Sequence, residues 1–261
     1  MMQSNSKTTA PAWSTLLTEA VSKPGLILQA YNAFHSYSVG NQLLAIVQLG
    51  ARGIPAAPIN TYPGWLAKGR QVKKGERALV LCQPVTFKDK ADPEQRHLGF
   101  MYKARWFALS QTEGEDMPPL VIPAWSKLDA LFELDVEQVA FELSDGNVQG
   151  YARSREVAIN PLAQLPHKTL FHELGHVVLG HTAESDVTDT EGTPKNLREV
   201  EAESVALLCC ESLNLEGSAY CRGYIQNWMQ GEVIPDESAR RIFRAADKIL
   251  KAGAPVAAEG N

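Results

Sequence analysis

His172, Glu173 and His176 stand in the order His-Glu-x-x-His inside the run TLFHELGHVVLGH. Residues four apart on an α-helix lie on one face, so the two histidines can each give an imidazole nitrogen to a single metal ion. Zinc accepts neutral imidazole at about 2.0–2.1 Å, and a hydrolytic site adds one more protein ligand and an open position. Glu173 reaches the same cleft without binding the metal, placed to take a proton from water and later return it to a leaving group. Leu170, Phe171, Leu174, Val177, Val178 and Leu179 are apolar around these three, so the helix is expected in a core, and Gly175 permits a close neighbour.

The third ligand needs a second element. In one group of peptidases it follows in the pattern His-Glu-x-x-His-x-x-Gly-x-x-His. Here Gly180 and His181 each miss that pattern by one position, so His181 is read as a nearby supporting histidine. The run REVEAESVALLCCESL is a better source. Glu199 and Glu203 are four apart on it and share a face, whereas Glu201 points elsewhere and suits a solvated surface. Glu199 is taken as the ligand and Glu203 as the carboxylate that orients a ligating histidine, with Glu203 as ligand the main alternative.

The elements that must position these groups follow from periodicity and punctuation. Leu16, Leu17 and Ala20, then Ile27, Ala30, Tyr31 and Phe34, then Leu43, Leu44, Val47 and Gln48 mark helices between Trp13 and Gly53. IPAAPINTYPG reads as loop. ALVLCQPVTF and GFMYKARWFAL read as antiparallel strands joined through KDKADPEQRH. The acidic, proline-bearing stretch QTEGEDMPPLVIPAW connects onward to a helical patch near Leu128–Leu134, a strand-like VAFEL and the strand pair VQGYA and EVAIN. EVAIN is expected to sit beside the cleft as an edge strand that an extended peptide could join. The expectation is an α+β protein of two domains, 1–110 with helices and a small antiparallel sheet, 127–261 carrying the histidines, and 111–126 as linker.

Charge divides along the same line. Residues 1–110 hold 13 Lys and Arg against 5 Asp and Glu, a net of +8, and residues 111–261 hold 12 against 25, a net of −13. A basic half on an acidic chain points to a polyanion, nucleic acid first. Lys68, Arg70, Lys73, Lys74 and Arg77 put five cations within ten residues, and Lys103 and Arg105 share a strand face that extends them. Tyr62 and Trp65 offer rings on which bases could stack, and Trp65 reads equally well as a core residue anchoring the turn at Gly64. Asn41, just before an apolar helix, is read as a cap.

Other classes are excluded. No apolar run approaches the roughly 18 residues of a membrane span. The opening MMQSNSKTTAPAW reads as a polar tail and not as a secretory signal. Cys82, Cys209, Cys210 and Cys221 form no Cys-x-x-Cys pair and suit free thiols in a reducing cytoplasm.

The sequence resembles the antirestriction protein ArdC and its relatives on plasmids, phages and integrative elements. The resemblance rests on TYPGWLAKGRQVKKGERALVLCQPV, YSVGNQLLAIVQ and RWFALSQTEG in the first half, and on TLFHELGHVVLGH, EVEAESVALL, YIQNW and RIFRAADKIL in the second. It implies an N-terminal domain that binds single-stranded DNA without sequence preference and a C-terminal zincin-like metallopeptidase domain, the two shielding incoming DNA from restriction. The expected cofactor is Zn2+ and the expected partners are single-stranded DNA and a protein or peptide substrate. Two alternatives stand beside this: an active peptidase cleaving a host or regulatory protein, and a DNA-occupancy protein with a non-catalytic zinc site.

Overall fold

The computed structural model describes residues 11–88, 96–142, 147–182 and 194–255. Three helices open the chain, α1 (Trp13–Ser22), α2 (Leu26–Phe34) and α3 (Val39–Ala51). Their buried faces carry the expected residues, including Leu16, Leu17, Ile27, Phe34, Leu43 and Leu44. The segment expected as loop, residues 54–64, holds regular structure: β1 (Ile59–Thr61) lies inside it and α4 (Tyr62–Leu66) begins in it. Ile59 pairs with Ala108, and the Thr61 hydroxyl accepts the Gly64 amide to start the short helix. Proline and glycine there shape a cap and a tight entry, and they do not prevent structure.

The expected strand pair is β3 (Leu79–Lys88) and β4 (Arg96–Ala108), antiparallel, with β1 on the other side of β4. The chain between them, residues 89–95, is outside the described residues. The outer edge of β3 is closed by side chains. The Asn41 amide exchanges two hydrogen bonds with the backbone of Cys82, at 2.9 and 2.8 Å, and Gln48 does the same with Val80, at 2.8 and 2.9 Å. Asn41 is therefore not a cap. It sits in the first turn of α3 and, with Gln48 seven residues on, it substitutes for a neighbouring strand.

The stretch expected as a linker is fastened at both ends. Between β2 (Arg70–Val72) and β5 (Thr112–Gly114) a two-stranded sheet forms, and the buried Gln111 amide donates to Glu76 at 2.8 Å. At the far end the Trp125 indole donates to the Ile249 carbonyl at 3.1 Å and meets the Phe171 ring edge-on.

The second half contains α5 (Lys127–Glu133), β6 (Glu137–Gln138), β7 (Gly150–Arg153), β8 (Glu156–Ile159), α6 (Pro166–Leu179), α7 (Lys195–Ser212), α8 (Ser218–Trp228) and α9 (Asp236–Ala252). The strand expected over VAFEL forms two residues earlier, at Glu137–Gln138, where it runs parallel to β8. This places β8 in the middle of the order β6-β8-β7, so EVAIN is not an edge strand and β7 takes that place. Helix α7 is buried nearly all round by α2, α6, α8 and α9. One hydrophobic cluster runs from Leu16 to Leu250 through both halves. Buried polar contacts join them too. Glu211 accepts the amides of Gly25 and Ile27, at 2.8 and 3.2 Å, and pairs with Arg222, which donates to the carbonyls of Ala20 and Val21. Of the thiols, Cys209, Cys210 and Cys221 are buried and free, and burial pushes Cys210 up to about 12. No described helix is long and apolar enough to cross a membrane.

Candidate metal centre

Helix α6 begins at Pro166, whose missing N–H costs nothing in a first turn, and stops at Gly180, whose φ of 77° is open to glycine with little strain. It crosses α7 at Gly175, where an added Cβ would lie 3.2 Å from the Ala202 Cα. That close crossing brings Glu199, one turn before Ala202, and Glu203, just after it, against the His172–His176 face. The two Nε2 atoms are 3.2 Å apart, and a Glu199 oxygen lies 3.5 Å from one and 3.7 Å from the other. A metal bound at about 2.05 Å with tetrahedral angles separates its ligand atoms by about 3.3–3.4 Å. The donor set therefore fits a divalent ion without moving backbone.

Each imidazole is held from behind by a different arm. The His172 Nδ1–H donates to Glu203 at 2.8 Å, and Glu203, 2% exposed, also takes the Lys168 ammonium at 2.9 Å. His176 Nδ1 meets His181 Nδ1 at 2.9 Å, and His181 Nε2 meets Glu201 at 2.9 Å. Protons satisfy this chain in one direction: His181 donates to Glu201 and accepts from His176, which leaves both Nε2 lone pairs facing the common point. Arg241 closes the arm, 3.7 Å from Glu201 and donating to the Leu179 carbonyl.

The field at this point is negative. Burial alone would lower the His172 imidazole, but the facing Glu199 carboxylate, the hydrogen bond to Glu203 and the charge of Glu173 raise it to about 9. The facing imidazoles of His172 and His176 hold Glu199 well below the usual carboxylate range. Burial pushes the Glu173 carboxyl up, against the pull of both imidazoles. The open cleft in front of these groups has a volume of about 390 Å³ and is lined also by Gly150, Tyr151 and Ala152 of β7 and by Lys195 and Arg198 of α7.

Placement of the sequence-derived residues is uneven. His172, His176, Glu173 and Glu199 converge, with Glu203 and His181 directly behind them. Glu201, read as solvated, is fully buried, and its partner His181 comes from a loop twenty residues earlier. Lys168 and Arg241 carry no motif of their own, and only the need of a buried carboxylate for a cation could have signalled them.

In the first half Trp65 is 1% exposed and its indole donates to the Phe107 carbonyl at 2.9 Å, so the stacking role is withdrawn and the core reading holds. Arg70 is committed to Thr112, Gly114 and Glu115, and Lys73 reaches the Ser110 carbonyl at 3.1 Å. Tyr62, Lys68, Lys74, Arg77 and Arg105 are exposed and Lys103 half-buried. The acidic segment after Thr182, residues 183–193, lies outside the described residues.

Residues 5–116 match the family described as the N-terminal domain of anti-restriction factor ArdC. An uncharacterized protein, y4eC, of Sinorhizobium fredii is 29% identical over 220 residues, covering 76% of this chain and 70% of that protein. Two crystal structures of the antirestriction ArdC protein from the R388 plasmid share the fold at 18% identity. The metal-free one has a TM-score of 0.53 over 92% of this chain and 94% of its own. The Mn(II)-bound one has 0.55 over 93% and 98%.

Proposed function

We propose that this chain, whose residues 5–116 match the N-terminal domain family of anti-restriction factor ArdC, protects incoming DNA from host restriction, binding it single-stranded through the basic first half while a zinc peptidase site in the second half cleaves a partner protein. The observation that carries the second part is the convergence of His172, His176 and Glu199 in an open cleft that also holds Glu173. Three protein donors with room in front suit a hydrolytic centre, whereas structural zinc is closed by four.

Zinc held there would supply the positive charge that acidifies water and polarises a peptide carbonyl. The rest is the work of this chain. Strand β7 offers its unpaired edge to an extended peptide, which sets the scissile bond across the histidines. Glu173 takes a proton from attacking water at its carboxylate and hands it to the departing amine. Glu203 and His181 keep both imidazoles in the tautomer that leaves Nε2 free. The cations of the first half track phosphates without reading bases.

Glu173→Gln tests the reading. The variant should keep its metal, measured by elemental analysis, and lose protection of a transferred plasmid in a restricting host. Full protection with the metal retained would show that occupancy of DNA suffices and would remove the peptidase step.

A further inference from the structure

Between the β3–β4 hairpin, α1, the start of α3 and α9 lies a cavity of about 610 Å³, the size of a small-ligand cleft and remote in sequence from the lysine-rich loop. Its walls are aromatic. Trp13 stands 6.2 Å from Tyr102 and 5.9 Å from Phe243, centroid to centroid, and Phe100 and Tyr102 remain 55% and 40% exposed although they flank this packed cluster. Two arginines from α9, Arg240 and Arg244, reach the same space. Arg240 is engaged by Asp236 and Glu237. Arg244 has no carboxylate partner among the described residues, and its guanidinium sits over the Phe100 ring at 5.7 Å. The one acid on the wall, Asp247, is occupied by the Val39 amide and Lys251. Strand β4 carries no Asp or Glu, and its Lys103 leaves on the face opposite Phe100 and Tyr102.

Exposed flat rings beside an unmatched guanidinium, along an acid-free strand, complement a ligand that is both planar and anionic. An aliphatic peptide face would leave Arg244 without a counter-charge, and a paired base has its faces covered by its neighbours. We propose that this groove seats unpaired nucleotides of a single-stranded nucleic acid, with bases against Phe100 and Tyr102 and a phosphate on Arg244. The proposal rests on the nucleic-acid reading above and moves its stacking site away from Trp65. It also makes α9, outside residues 5–116, part of the contact.

The test uses the full chain and a labelled 20-nucleotide oligothymidine, read by fluorescence polarisation, with a 5-bromouracil version for photo-crosslinking to the unaltered protein. Phe100→Ala and Tyr102→Ala should each weaken binding by about tenfold, since stacking on one ring is worth that order, and Arg244→Glu, which sets a negative charge against the phosphate, should weaken it at least as much. Crosslinks should map to the peptide holding Phe100 and Tyr102, and the matching duplex should compete at least about tenfold less well. Binding that survives all three substitutions but falls with Lys74→Glu, or crosslinks confined to residues 62–77, would overturn the groove and leave DNA binding intact. No binding by the unaltered chain would overturn both. Equal competition by duplex would overturn the stacking role.

Discussion

The metal centre and the basic first half hold their charges in opposite ways. Around His172 and His176 the outer polar and charged groups answer one another at short range: Lys168 and His172 at Glu203, His181 and Arg241 at Glu201. On the first half Lys68, Lys74, Arg77 and Arg105 end in solvent. Buried charge is stable only when matched, so each member of the centre depends on the rest, whereas solvated cations act independently through long-range attraction. One region should fail as a unit and the other should fade by increments.

The strongest way to break this contrast is at a donor. His176→Ala should reduce metal binding to below detection at micromolar protein, measured by calorimetry, and retention of metal would mean that the donors are elsewhere. Next is the buried joint between halves. Glu211→Ala leaves Arg222 without its carboxylate and the α2 amides without an acceptor, which should cost about 3–5 kcal/mol in chemical unfolding. A loss under about 1 kcal/mol would show the joint to be slack. Glu201→Gln, a change that touches no donor atom, should weaken metal binding by about 10–100-fold in competition with a chelator. An unchanged affinity would sever the His181 arm from the centre. The smallest effect belongs to the open surface. Lys74→Glu should lower single-stranded DNA affinity a few-fold, reduce the salt slope by about one and shift stability by no more than about 0.5 kcal/mol. Loss of all binding from that single change would make the surface as cooperative as the centre.

What is legible in the sequence follows the same division. Spacing of four on a helix fixes a shared face, so residue order alone pairs His172 with His176 and Glu199 with Glu203. Glu201 escapes that logic, because helical phase says only which way a side chain leaves its own helix, and the histidine it meets arrives from the turn after α6. Edge and centre of the small sheet are exchanged because β6 is two residues long and leaves no alternation to read. Trp65 fits a stacking and a core role equally well by type and spacing, and the bond from its indole to Phe107 decides between them. The helices of the first half are clear from their stripes, yet nothing in them announces that α1 and α2 pack on α8, α9 and α7, since long-range partners leave no period.

The amide pair of Asn41 and Gln48 has a consequence for traffic between molecules. By occupying the outward backbone groups of Val80 and Cys82, a helix ends the first sheet as a selvedge ends a cloth, and no foreign strand can be stitched on at those positions. Strand β7 has no such border among the described residues. An extended chain that meets this protein is turned away at one seam, while the other, at the end of the sheet that runs past the histidines, keeps an unbordered edge among the described residues.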